Sequence, residues 1–300
     1  MRIDIEPLID GAQLGALQWR VLLLCALAAF LDGYDVTAIS QAALGMAPEW
    51  HVTSGELTWI LTAAPIGIAV SALLVAPLGD YVGRRTVLLG SFLLVGITTL
   101  MAGSTHGGEP AGLWRLLTFQ SLLGPKLVAA GGNQLLVWRF LTGLGLGASL
   151  PNALALGAEY APKSRRTAMV ALLACAISLG SFSSGQLAPF LSQHGGWRAI
   201  FWAGGAVALT AFLPLLALPE SPRFLVARGV DPARISQLLT RLGGSYRPSP
   251  DDRFTLREGV GKRMPIGELL VGQLLPATLL LWVVFFLNLG MLYLVSTWLP

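Results

Sequence analysis

The sequence predicts an all-α polytopic membrane protein, and three observations carry that expectation. Of its 300 residues 54% are hydrophobic and only 12% charged, about half the charge of a soluble globule. Mean hydropathy is +0.67. Apolar runs recur along the chain at the length, about 20 residues, that carries a helix across a ~30 Å hydrocarbon core.

Taken in order, the runs fall at about 20–43, 57–78, 86–103, 135–158, 168–192, 198–218 and 273–298, which makes seven spans. Residues 1–18 hold Asp4, Glu6 and Asp10 and no apolar core, so they read as a cytoplasmic N-terminus rather than a cleavable signal. Residues 19–218 form a six-helix transmembrane bundle with an outer-loop insertion at 104–134, whose run "LWRLLTFQSLLG" suits a helix lying on the membrane surface. Residues 219–272, rich in arginine and proline, read as a solvated cytoplasmic linker, and 273–300 as the seventh transmembrane helix. Cys25 and Cys175, each inside an apolar run, read as small buried hydrophobes, with neither a disulfide framework nor a metal site.

Orientation follows from the 20 lysines and arginines. With the N-terminus inside, Arg2, Arg20, Arg84, Arg85, Lys163, Arg165, Arg166 and nine residues of the 219–272 segment are cytoplasmic, 16 in all; Arg115, Lys126, Arg139 and Arg198 remain. This is the positive-inside distribution. It puts the N-terminus on the cytoplasmic side and accounts for the pI of 9.4 without nucleic acid; a cell inner membrane is the expected location.

A charge at hydrocarbon depth costs several kcal/mol and so faces a partner or an aqueous cavity. Asp32, Asp35 and Arg139 are the candidates. The two aspartates, in "FLDGYD", are three apart and share a helix face. Their mutual repulsion is relieved when one takes up a proton, as a proton-coupled carrier requires. A fraying, hydrated helix end is the alternative, opposed by Ala38 and Ile39, which continue the apolar run. With a rise of ~1.5 Å per residue, Asp35 and Arg139 both lie roughly 6–8 Å below the outer face. At similar depth they can neutralise each other, and the guanidinium can exchange its aspartate for a substrate carboxylate. The alternative for Arg139 is snorkelling to the interface. "GLGLGASLPN" holds Gly143, Gly145 and Gly147 without the strand-turn-helix setting of a dinucleotide site, so close helix packing accounts for it better. No nucleophile–base pair is recognisable, and nothing points to an enzyme.

These motifs together resemble the major facilitator superfamily and, within it, the aromatic acid:proton symporter family. "LDGYD" is similar to that family's D-G-x-D signature at Asp32 and Asp35. "APLGDYVGRR" resembles the superfamily's loop G-x-L-x-D-R-x-G-R-R at Leu78, Asp80, Gly83, Arg84 and Arg85, departing at Ala76 and Tyr81. "RFLTGLGLGASLPNALALGAEYAPKSRR" supplies the family's span-four arginine as Arg139, with Pro151 and Asn152, and "LPESPRFL" is shared with sugar porters.

The resemblance implies twelve helices in two six-helix halves, alternating access, and symport of protons with a small aromatic carboxylate such as 4-hydroxybenzoate or benzoate. The chain would then be C-terminally truncated, the first half plus the seventh helix of a carrier whose C-terminal half is a missing partner. Asp32, Asp35 and Arg139 would couple proton to substrate, Tyr34 and Asn152 would line the substrate cavity, and Asp80, Gly83, Arg84 and Arg85 would form a cytoplasmic gate. The proton gradient takes the place of a cofactor. "ISLGSFSSGQLAPF" lacks a G-P-x-x-G-G antiporter motif, which favours symport over exchange. A porter for another organic acid or a sugar, an inactive half-transporter, and a receptor that binds without transporting are the alternatives.

Overall fold

The computed structural model describes residues 2–105, 132–242, 246, 249, 252–256, 272 and 274–298. The surface helix expected in 104–134 falls almost wholly outside them. Among the described residues six helices are long and apolar enough to cross a membrane: α2 (Ala16–Trp50), α3 (Ser54–Leu74), α5 (Arg84–Gly103), α6 (Gly132–Tyr160), α7 (Arg166–Gly195) and α8 (Arg198–Leu215). The single turn α4 (Gly79–Val82) separates α3 from α5. The helix α11 (Leu274–Trp298) stands where the seventh span is expected and packs against α2.

Helix ends depart from the apolar runs for local reasons. α2 covers 35 residues, about 50 Å at 1.5 Å per residue, so it overshoots the hydrocarbon at both ends. α3 starts early because Thr53 and Glu56 cap it reciprocally: Thr53 N donates to Glu56 Oε2 at 2.8 Å and Glu56 N to Thr53 Oγ1 at 3.4 Å.

Glycines set the closest approaches. A Cβ at Gly33 would run into the Ile177 carbonyl and one at Gly180 into the Phe30 carbonyl, so α2 and α7 meet backbone to backbone. A Cβ at Gly143 or Gly147 would strike the backbone of Ala64 or Ile68 in α3. The glycine run of α6 is thus a packing surface, as the sequence suggests. Cys25 is buried, but Cys175 is exposed. It lies on the outward face of an apolar helix, where apolar surroundings in sequence do not mean burial, so the expectation for it fails.

Among the described residues, Arg85, Arg166 and Arg223 meet the N-terminal segment and the described part of the 219–272 segment at one end of the bundle, its basic end. Residues 2–18 are tied to the bundle. β1 (Arg2–Asp4) pairs in parallel with β2 (Arg253–Thr255), and α1 (Ile5–Asp10) sinks Ile5 and Ile9 into the same core as Ile235, Leu239 and Leu242. Glu6 pairs with Arg223 at 3.0 Å and Asp10 with Arg166 at 2.7 Å, while Gln18 Nε2 donates to the Leu242 carbonyl at 2.8 Å. The described part of the 219–272 segment is likewise no open tether. It holds α9 (Pro222–Ala227) and α10 (Pro232–Arg241), each opened by a side-chain cap, Ser221 or Asp231, and a proline at the first helical position. The opposite end is tied by Arg198, which donates to Glu49 at 2.8 and 3.1 Å and to the Thr105 carbonyl at 3.2 Å.

Candidate functional site

The site at membrane depth is built where α2 crosses α6. Asp35 and Arg139 face each other there: Arg139 Nη1 donates to Asp35 Oδ1 at 2.9 Å and Nη2 to Oδ2 at 2.8 Å. This is the two-pronged guanidinium–carboxylate geometry. Arg139 is 1% and Asp35 4% exposed, so snorkelling is excluded and each charge is answered only by its neighbours. Arg139 Nε makes no hydrogen bond among the described residues, and the guanidinium carbon stands 5.6 Å from the centre of the Phe201 ring in α8. A cavity of about 10 Å³, roughly what one water needs, opens against the pair and is walled by Val36, Ile39, Leu61, Ala64, Pro65, Ile68 and Leu146.

Asp32 lies one turn toward the basic end, 8% exposed, and makes no ion pair among the described residues. The two aspartates therefore share a face but not a role: one is locked to an arginine and the other is not. Tyr34 points to another side of α2, where its hydroxyl donates to the Ile200 carbonyl at 3.2 Å, next to Phe201 in sequence. Asn152 is not brought to this pair. Thirteen residues beyond Arg139 on α6, it lies about 20 Å away along the axis, and its Nδ2 donates to the Ala76 carbonyl at 3.1 Å and the Ala148 carbonyl at 2.8 Å. It pins the turn between α3 and α5, so nothing in its position connects it with a cavity at Arg139.

The loop residues assemble into a second site at the basic end. Asp80 accepts from Arg84 at 3.2 Å but is 63% exposed. Arg84 also pairs with Glu159 of α6, and Glu159 in turn accepts from the Ser221 hydroxyl. Arg85 contributes its backbone N–H, which donates to Glu220 Oε1 at 3.1 Å, and its guanidinium, which donates to the Leu216 carbonyl at 2.8 Å. Gly83 turns the chain with φ +101°, and a Cβ there would strike the Glu220 carboxylate. Tyr160 closes the cluster by donating to the Glu220 carbonyl at 2.6 Å.

Glu159, Glu220, Tyr160 and Ser221 are the residues that motif reasoning passed over. Both acids stand in strings quoted above, "RFLTGLGLGASLPNALALGAEYAPKSRR" and "LPESPRFL", which carry no reading of either acid. The family resemblance drew attention to Asp80, whereas the buried acid facing Arg84 is Glu159.

The Major Facilitator Superfamily domain matches residues 25–300. The chain belongs to the Major Facilitator Superfamily. Among curated members of this superfamily it is similar to a gallate transporter of Pseudomonas putida, 33% identical over 99% of this chain and 61% of that protein. The 4-hydroxybenzoate transporter PcaK of Acinetobacter baylyi is 32% identical over 99% of this chain and 61% of its own length. A benzoate transport protein of the same organism is 27% identical over 99% of this chain and 60% of its own. The chain thus spans about three-fifths of the curated relatives it matches. Among solved structures, the proton:xylose symporter XylE superposes with a TM-score of 0.64 at 21% identity, over 76% of this chain and 50% of that one. The inward-open, partially occluded form of XylE from E. coli gives 0.59 at 21%, over 76% and 55%. At such identity these two show the fold. Family and relatives alike are those of transporters, not enzymes.

Proposed function

We propose that these residues form the first half of a secondary active transporter that takes up a small aromatic carboxylate together with protons. In this architecture the binding cavity lies between two halves, so the proposal is for a carrier in which this bundle works with a second half. The observation that carries it is the buried, two-pronged Asp35–Arg139 pair, in a chain whose relatives at 32–33% identity are named for gallate and 4-hydroxybenzoate transport.

A carboxylate held on a guanidinium is a place that a second carboxylate can take. When Asp35 accepts a proton it becomes a neutral acid and a poorer acceptor. Arg139 then has two N–H groups in a planar fork that match the carboxylate of an aromatic acid. Asp32, one turn toward the basic end and without an ion pair among the described residues, gives the proton a second station. Departure of substrate and proton restores the Asp35–Arg139 pair, which neutralises the empty site for the return stroke. Tyr34 supports the site through its bond to α8. Asn152 we assign to the basic end instead. There the Asp80–Arg84–Glu159 and Arg85–Glu220 links, with Gly83 as the turn, act as the cytoplasmic gate. The proton gradient drives the cycle, and the basic end faces the cytoplasm of an inner membrane, N-terminus inside.

Uptake of labelled 4-hydroxybenzoate by cells lacking their own aromatic-acid uptake tests this, with the chain expressed alone and beside the unmatched part of the A. baylyi transporter. Uptake should rise as external pH falls and vanish in Asp35→Asn and Asp32→Asn. Uptake indifferent to pH in a properly inserted carrier refutes proton coupling, and uptake of xylose in its place refutes the substrate class.

A further inference from the structure

The Arg139 guanidinium has three sides to satisfy, and the pair with Asp35 accounts for one. Its fork edge donates to Asp35, its Nε has no hydrogen-bond partner among the described residues, and its carbon lies 5.6 Å from the Phe201 ring centre. Phe201 is fully buried and is itself braced edge-on by Trp197, ring centres 6.0 Å apart at 89°. Trp197 is fixed in turn by Trp50 at 5.1 Å and by donation of its indole N–H to Glu49 at 2.7 Å. The ring beside Arg139 is therefore held in place from the outer end of the bundle.

We propose that Phe201 is a positioning residue for Arg139, holding the guanidinium in place when Asp35 lets go, so that the fork waits for the carboxylate of an aromatic acid. The substrate clause rests on the transport function proposed above; the positioning does not. A cation over an aromatic ring is attracted most strongly where water is excluded, and this site is closed to solvent. Once Asp35 is neutral, the ring is the remaining described partner of the charge. Being wholly buried, Phe201 acts through Arg139 rather than on the substrate.

Asp32 and Tyr34, both on α2, are the ionisable neighbours of Asp35 on its own helix. Among the described residues α3, α5, α7 and α8 bring no further charge to its depth; Glu56, Arg84, Arg85, Arg166, His194 and Arg198 sit at their ends.

The test has a substrate-free arm. In the purified full chain, the infrared carboxylic-acid band of Asp35, identified by its absence in Asp35→Asn, is titrated against pH. Phe201→Leu and Phe201→Met keep apolar bulk but remove the ring, whereas Phe201→Tyr keeps the ring. With the ring gone, the charge that Asp35 leaves behind when it takes a proton has lost its remaining partner, so protonation is less favourable and the midpoint should move down by half a pH unit or more, a threefold loss in proton affinity. Phe201→Tyr should stay within a fifth of a unit of the parent. In the uptake arm, Phe201→Leu should raise the half-saturating 4-hydroxybenzoate concentration threefold or more, with the maximal rate within twofold and Phe201→Tyr restoring it. An unmoved midpoint in both ring-less variants, or an equal shift in Phe201→Tyr, overturns the positioning role. A midpoint that moves as expected while the parent takes up no aromatic acid keeps the positioning role and refutes the transport function instead.

Discussion

Truncating one member of the Asp35–Arg139 pair should cost far more than replacing both. Asp35→Ala leaves a guanidinium that is 1% exposed, already without a hydrogen bond at Nε among the described residues, with both prongs empty. Removing one partner of a buried ion pair costs about 3–5 kcal/mol. Arg139→Leu should cost less, about 1–3 kcal/mol, because the stranded carboxyl escapes by taking a proton. The double change to Asp35→Val with Arg139→Leu removes both desolvation penalties and fills the space with apolar side chains, which is often neutral. Its stability should fall within about 2 kcal/mol of the parent. At about 2–4 °C per kcal/mol, the thermal midpoint of the detergent-solubilised chain should drop roughly 6–20 °C for Asp35→Ala and recover most of that loss in the double variant. A double variant whose loss equals the sum of the single losses would show that the two side chains do not interact, and the description of the site would be wrong.

Four further outcomes are expected at the basic end. Glu159→Gln takes the charge facing Arg84 and weakens the acceptor of Ser221, so limited proteolysis between residues 216 and 242 should accelerate severalfold. Gly83→Ala places a side chain at φ +101° against the Glu220 carboxylate and should cost about 1–3 kcal/mol by thermal midpoint. Gly229→Asn, at φ +63° with open space around it, should cost only a few tenths. Ile5→Asn buries an amide in the core shared with Ile235 and Leu239. It should release α1 and α10 together, seen as faster amide exchange in both, whereas exchange confined to α1 would show that the N-terminal segment does not hold the linker.

The spans were legible because a bilayer demands about 20 apolar residues per helix, a signal that survives ignorance of every contact. Asp35 and Arg139 could be matched because rise per residue converts sequence position into depth, and few charges lie that deep. The glycine run of α6 was legible for a related reason, since a membrane helix carries such a run mainly to approach its neighbours. Beyond the spans, legibility fails where an interaction depends on which faces meet. Asn152 sits in a matching motif, yet the helix carries it about 20 Å from Arg139. Glu159 and Glu220 lie at span ends, where acids are ordinary, and only the folded loop shows that they answer Arg84 and the Arg85 backbone. The fold of the N-terminal segment was not legible because a three-residue strand pairing across some 250 residues leaves no periodic trace. "ESPRF" and "VDPARI" do carry helix starts, a capping side chain followed by proline, and these open α9 and α10.

Proton movement on substrate addition tests the central claim most directly. In proteoliposomes holding the chain with a co-expressed second half, 4-hydroxybenzoate added outside should raise the external pH in step with uptake, and Asp35→Asn should abolish both. Uptake of 4-hydroxybenzoate without any proton movement, or undiminished uptake in Asp35→Asn, would contradict the account.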